Sequence, residues 1–181
     1  MRTKENLVNP VSDYYLYQPS TIASRVYLYP KEIGYFFYEP GYWRSRIQYD
    51  SFLLMYIAKG TCQIQLPNQQ LQNATSGQVV LIDCYIPHEY GFNCNSEVSW
   101  MHFDGSLARD FYELITANHG NIISPSNPFP ITNGLEQMLH VFRNSKPLKE
   151  GEASEMITQM LNTLLYTQAY SGSTTSHFKV V

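Results

Sequence analysis

Between residues 21 and 105 the chain repeats one pattern: a short apolar stretch, a turn residue or two, then another apolar stretch. Arg25–Tyr29, Ile33–Tyr38, Tyr49–Ala58, Thr61–Leu66, Val79–Asp83, His88–Phe92 and Val98–Phe103 are the clearest examples. Several alternate with period two. Cys62, Ile64 and Leu66 face one way and Gln63 and Gln65 the other, as in a half-buried strand. Strands at this spacing predict a sandwich or a barrel. After Gly105 the apolar period becomes helical. Leu107, Phe111, Leu114 and Ile115 form one stripe, and Leu135, Met138, Leu139 and Phe142 a second. The longest, Ile157, Met160, Leu161, Leu164 and Leu165, lies on a helix of about residues 150–170. Glu150, Glu152 and Glu155 sit in its first turns, where the helix dipole favours negative charge.

The ends of the chain carry little apolar pattern. Residues 1–20 are polar with scattered Tyr and Pro and read as an arm rather than a core element. Residues 171–181 begin Ser-Gly-Ser-Thr-Thr-Ser, a flexible-linker composition. The expected order is therefore arm (1–20), barrel (21–105), helical region (106–170) and linker (171–181). Strands followed by helices give an α+β arrangement. One helix is explained by packing on the barrel. Three exceed what a small barrel needs covered, so the surplus Met and Leu predict self-association through Ile157, Met160, Leu161, Leu164 and Leu165.

Composition narrows the function classes. With 44% hydrophobic residues among 181, the chain can bury a full core. Fifteen Tyr, nine Phe and two Trp favour strands and binding surfaces that are apolar yet hydrogen-bonding. The net charge is −3 and no basic run occurs, which argues against nucleic-acid binding by this segment itself. Cys62, Cys84 and Cys94 are odd in number and lack a CxxC pair, so buried free thiols are expected in place of disulfides or a thiolate metal site. No charged-then-apolar leader opens the chain, and Phe52–Ala58 is too short an apolar run to span a bilayer. The expectation is a reducing cytoplasm and no membrane.

Residues 49–105 carry a family resemblance. They contain Asp50-Ser51-Phe52-Leu53-Leu54-Met55-Tyr56-Ile57, then Gly60, then Gly77-Gln78-Val79-Val80-Leu81-Ile82. Pro87-His88-Glu89-Tyr90 and Trp100-Met101-His102-Phe103-Asp104-Gly105 follow. In order and spacing this resembles the N-terminal ligand-binding domain of AraC-family transcription regulators, most clearly over about residues 40–105. The resemblance implies a cupin-like β-barrel (jelly roll) with an N-terminal arm able to fold over a ligand. It implies a helical pair that makes a homodimer, and helix-turn-helix units further on that read DNA. On that expectation the sequence is one piece of a longer regulator and touches DNA only through a domain it does not contain. Effectors in the family are often sugars, although aromatic acids, urea and other small molecules also occur.

Strand periodicity nominates a pocket. Val98, Trp100 and His102 share one face of their strand, and His88, Tyr90 and Phe92 share a face of the preceding one. If both faces line the lumen, Trp100, Tyr90, His88 and His102 converge there. The resemblance independently places ligand contacts at Tyr90 and Trp100. Arg44 and Arg46 alternate onto one face with Tyr42 and Gln48. An Arg near this position contacts the sugar in the arabinose regulator of the family, and the sequence does not choose between the two. An indole stacks on the C–H face of a pyranose. Phenol and imidazole groups bond its hydroxyls, and a guanidinium fork bonds adjacent hydroxyls or a carboxylate.

Two other readings compete. Metal-dependent cupin enzymes carry an HxH and a downstream Glu in their first motif. Here Gly60-Thr61-Cys62-Gln63-Ile64-Gln65-Leu66-Pro67 offers neither, so no metal, cofactor or catalytic residue is expected. No GxSxG or phosphate-cradling loop occurs, and Cys84 near His88 lacks an orienting third group. A ligandless structural cupin would leave Trp100 and Tyr90 as core filling.

Overall fold

The structure is a computed structural model that describes residues 3–168. The expected linker over 171–181 lies outside the described residues. In chain order the elements are β1 Asp13–Leu16, α1 Ala23–Val26, β2 Leu28–Tyr38, β3 Tyr42–Arg46, β4 Phe52–Lys59, β5 Thr61–Gln65, β6 Gln72–Thr75 and β7 Val79–Asp83. They continue with β8 His88–Phe92, β9 Ser96–Gly105, α2 Ala108–His119, β10 Ile122–Ile123, α3 Phe129–Arg143 and α4 Glu150–Leu165. Two antiparallel sheets form, of order β1-β2-β9-β4-β7-β10 and β3-β8-β5-β6. They face each other across a shared apolar core, and the three long helices cover the outside of the six-stranded sheet. This is the α+β cupin-like fold, three layers deep.

The large sheet is buried on both faces, and its sequence follows from that. On β4, Phe52 and Leu54 face the helices while Leu53, Met55 and Ile57 face the other sheet. On β7, Val79 and Leu81 point to the helices and Val80 and Ile82 inward. A strand wetted on neither side reads as a continuous apolar run. β2 changes phase midway. Phe36 and Tyr38 point inward and Ile33 outward, yet Leu28 also packs against the helices. A register shift between Pro30 and Glu32 supplies the extra residue that flips the alternation. Proline is tolerated at such a bulge because no ladder donor is required of it.

Several expectations need correction. Arg25–Tyr29 is strand only from Leu28, where β2 begins: Ala23–Val26 forms a helical turn, and the Ser20 hydroxyl accepts from the Ala23 amide at 3.1 Å. The arm is not free along its length. Residues 13–16 form the edge strand of the large sheet, and Asp13 makes a two-point ion pair with Arg143 of α3 at 2.7 Å. Tyr17 and Ser20 both donate to the Glu150 carboxylate at the start of α4. On α2 the expected stripe is half wrong. Leu107 and Leu114 are 53% and 55% exposed, and the helix instead buries Ala108 and Ile115 and partly buries Phe111 and Tyr112.

The proposed self-association stripe is also corrected. Ile157, Met160, Leu161 and Leu164 are fully buried inside the protomer, with Leu165 packed against the same core. α4 lies on β2 and against α2 and α3. Its approach to α3 is close because Gly134 faces Met160, where an added Cβ would lie 3.1 Å from the Met160 sulfur. The helices exceed what a barrel alone would need because they cover the outer face of a six-stranded sheet. Among the described residues no helix is long and apolar enough to cross a membrane.

Leu161→Ala is accordingly expected to lower the free energy of unfolding by about 2–5 kcal/mol, as core truncations do. Urea denaturation checks this. Unchanged stability would show that the stripe is not part of the protomer's own core.

Candidate functional site

Between the two sheets, under residues 3–5 of the arm, lies a cavity of about 420 Å³. Small-molecule sites occupy roughly 300–1,000 Å³. The small sheet supplies Tyr42, Arg44 and Arg46 from β3 and Tyr90 from β8. The large sheet supplies Trp100 and His102 from β9, Leu53 and Met55 from β4, and Glu32, Phe36 and Tyr38 from β2. The arm adds Thr3, Lys4, Glu5, Tyr14 and Leu16. Of the three arm tyrosines, Tyr14 alone lines the cavity; Tyr15 stacks on Phe142 at 5.7 Å and Tyr17 meets the same ring edge-on.

β3 presents its two guanidiniums inward because its other face is pinned. Trp43 Nε1 and the Ser45 hydroxyl both donate to Glu89 of β8, at 3.0 and 2.9 Å. With residues 43 and 45 held outside, alternation turns 42, 44 and 46 to the lumen. Both Arg44 and Arg46 line the cavity, so the choice left open by the sequence dissolves. Gln48 does not join them; it donates to Asp50 on the surface. Arg44 forms an ion pair with Glu5. Glu5 also accepts from the Tyr42 hydroxyl at 2.8 Å, and Arg44 Nε donates to that hydroxyl at 3.2 Å. Arg46 lies 4.3 Å over the Tyr49 ring.

Trp100 is 7% exposed and lies over Gly34, its partner across the β2–β9 ladder. A Cβ on Gly34 would fall 2.6 Å from the indole. Phe36 and His102 meet the ring edge-on at 5.1 and 5.8 Å. The His102 Nδ1 is 2.8 Å from the buried Ser51 hydroxyl. Burial holds its pKa well below 6.5, and the nearby Arg46 charge adds to that, with His88 and Lys31 in lesser measure. The imidazole is therefore neutral at pH 7. Tyr90 is a buried phenol whose pKa burial raises.

His88 shares a strand face with Tyr90 but does not line the cavity, which corrects its place among the candidates. Its Nδ1 lies 2.8 Å from the Ile86 carbonyl, which can only accept. Burial lowers its pKa as well, so the neutral ring carries its proton on Nδ1 and leaves Nε2 as an acceptor. Among the described residues three buried side-chain atoms have no hydrogen-bond partner: Arg46 Nη1, Trp100 Nε1 and His88 Nε2. Native structures leave few such atoms, and two of these belong to cavity-lining residues.

Sequence reasoning missed Glu5 and Glu32. The Glu32 carboxylate accepts from the Tyr49 hydroxyl. Neither residue carries a local signal, because their positions depend on where the arm crosses the mouth and on the phase of β2 beyond its bulge. Cys62 and Cys84 are buried free thiols pushed up to about 12 by burial, and Cys94 is half-buried.

The comparisons with known proteins follow this geometry. Residues 29–161 match the family model described as AraC-like ligand binding domain. A comparison with curated proteins gives no match. Among solved structures the chain is similar to a cupin superfamily protein from Desulfitobacterium hafniense, at 14% identity and a TM-score of 0.39 over 56% of this chain and 82% of that one. It is similar to a cupin 2 conserved barrel domain protein from Leptotrichia buccalis, at 16% identity and a TM-score of 0.42 over 57% and 43% of the two chains. It is also similar to a mutant oxalate decarboxylase from Bacillus subtilis, at 16% identity and a TM-score of 0.37 over 51% and 28%.

The two depressed histidines set a pH dependence. Unfolded histidine titrates near 6.5, and both folded values lie lower. Between the two values the unfolded chain binds more protons, so stability is full above about pH 6.5 and falls as the pH drops below it. The thermal midpoint is expected to fall on titration from pH 7.5 to pH 5. His102→Asn is expected to flatten that slope while lowering the midpoint at pH 7.5. A midpoint indifferent to pH in both proteins would show that His102 is not buried in its neutral form.

Proposed function

The chain belongs to the AraC-like ligand-binding domain family, and we propose that it is the effector-sensing part of a transcription regulator, taking a mono- or oligosaccharide into its barrel. The observation that carries this reading is the lumen itself: an indole, a phenol and two guanidiniums line one cavity, and Trp100 Nε1 and Arg46 Nη1 are buried without partners. An indole takes the C–H face of a sugar ring, and the phenol and guanidiniums take its hydroxyls. Each satisfied hydrogen bond contributes about 1 kcal/mol net. Residues 3–5 stand at the mouth through which the molecule enters. Occupancy alters how DNA-binding units elsewhere in the regulator are presented, by as much as the ligand's affinity differs between the two arrangements. The regulator works as a homodimer through surface other than the buried stripe of α4.

A metal-dependent enzyme is the less favoured reading. Among the described residues no group of three or more His, Cys, Asp or Glu side chains is placed to hold a metal ion. A ligandless structural barrel is opposed by the unpartnered donors of Arg46 and Trp100.

A thermal-shift screen over pentoses, hexoses, hexuronates and disaccharides tests the reading. At least one sugar at a hundredfold excess over its Kd is expected to stabilise the protein by about 2.7 kcal/mol. Trp100→Ala is expected to abolish the shift. Gly34→Ala, which pushes the indole off its glycine seat, is expected to weaken it. No shift from any sugar would favour the structural barrel.

A further inference from the structure

Arg46 brings to the lumen a permanent positive charge that no ion pair meets, and the reading above, that the lumen is a ligand site, is the ground on which the following rests. A guanidinium does not deprotonate in a protein. The Arg46 Nη1 is buried with no hydrogen-bond partner, and no carboxylate among the described residues pairs with this side chain. Its guanidinium lies 4.3 Å over the Tyr49 ring. Of the groups around it, His102 and Tyr90 are neutral, and Glu32, the lining carboxylate not already paired with a guanidinium, accepts from the Tyr49 hydroxyl and makes no ion pair with Arg46. A partly buried cation in that position is costly unless something anionic joins it.

Arg44, two residues along the same strand, shows what such a partner looks like. Its counter-ion is the Glu5 carboxylate, which also accepts from the Tyr42 hydroxyl at 2.8 Å. A carboxylate delivered by the arm thus already sits in the cavity on a guanidinium and a phenol.

We infer that the ligand carries a carboxylate, which takes Arg46 as its counter-ion and competes with Glu5 for Arg44 and Tyr42. The hydroxyl-bonding groups of the lumen make a sugar acid the class that satisfies both halves of the site. Binding then displaces an arm side chain from the mouth, so ligand charge and arm position are linked through one set of donors.

Calorimetric titration of the full chain at pH 7 and fixed ionic strength tests this with three probes: D-galacturonate, D-galactose and benzoate. Galacturonate is expected to bind about tenfold tighter than galactose, the difference between a charge-assisted and a neutral hydrogen bond. Arg46→Gln is expected to close most of that gap, and Glu5→Gln to widen it by removing the competing carboxylate. Circular dichroism of each variant checks that the barrel is folded. Galactose binding as tightly as galacturonate, or a Glu5→Gln variant that binds galacturonate more weakly, would overturn the inference and leave the sugar-sensor reading standing. Benzoate bound without galacturonate would keep the carboxylate and remove the sugar. No binding of any probe would overturn both.

Discussion

Burial of the six-stranded sheet on both faces is the constraint on which the remaining structure depends. Its central strands send alternate side chains to two different compartments, the helical layer and the lumen side. A one-residue slip would exchange the two sets, placing Trp100 under the helices and Met101 in the cavity. Register is therefore the quantity that makes a site. It is held along β2, β9 and β4 by long antiparallel ladders, interrupted at Pro30/Glu32 and at Ile57/Lys59. The first interruption lets β2 run from one compartment to the other. Its C-terminal half gives Phe36 and Tyr38 to the lumen, and its N-terminal end gives Leu28 to the helices.

Within that frame the two tryptophans follow one rule. Each lies over a glycine paired directly opposite it on the neighbouring strand, Trp100 over Gly34 and Trp43 over Gly91. The missing Cβ gives the indole a flat seat, and the large ring covers backbone that glycine would otherwise leave bare. One pair is on the lumen side and the other on the outside of the small sheet. Trp43 and Ser45 hold Glu89 on that outer face, and this turns Arg44 and Arg46 inward. A surface cluster outside the cavity thus decides the orientation of the charged wall.

Much of this was legible in sequence because period-two and period-3.6 patterns are local. The strand positions from residue 33 to 103 other than the polar β6, the shared face of Val98, Trp100 and His102, and the three long helices were readable from spacing alone. The failures are non-local. An α4 stripe of Ile157, Met160, Leu161 and Leu164 has the same period whether it meets its own sheet or a second copy, and only the extent of the sheet decides. β1 is four residues of mixed polarity, and its strand character comes from pairing with β2. His88 alternates in step with Tyr90, yet its ring is drawn to the Ile86 carbonyl at the strand's start. Glu5 is polar in a polar arm, and nothing nearby in sequence marks it as a partner for Arg44.

The arm gains meaning from being held at both ends by charge. At its start Glu5 sits on Arg44 inside the cavity. Further along, Asp13 grips Arg143 of α3, whose guanidinium holds that carboxyl below its ordinary range, and Tyr17 and Ser20 grip Glu150 of α4. β1 between these anchors is hydrogen-bonded to the sheet, so the segment from Asp13 to Ser20 is part of the scaffold; Val8 and Asn9 are tied to the end of β2, which leaves residues 3–5 as the part that can exchange partners. The two stretches differ in how much must break to move them. Releasing residues 3–5 costs a few half-exposed polar contacts, whereas releasing residues 13–20 costs an edge strand, a bidentate ion pair and the Tyr15–Phe142 stack. A carboxylate entering the lumen competes only with the first set. If the proposed ligand binds, this division between a weakly held mouth and a firmly held edge would let the barrel respond to occupancy without loosening the sheet that shapes it.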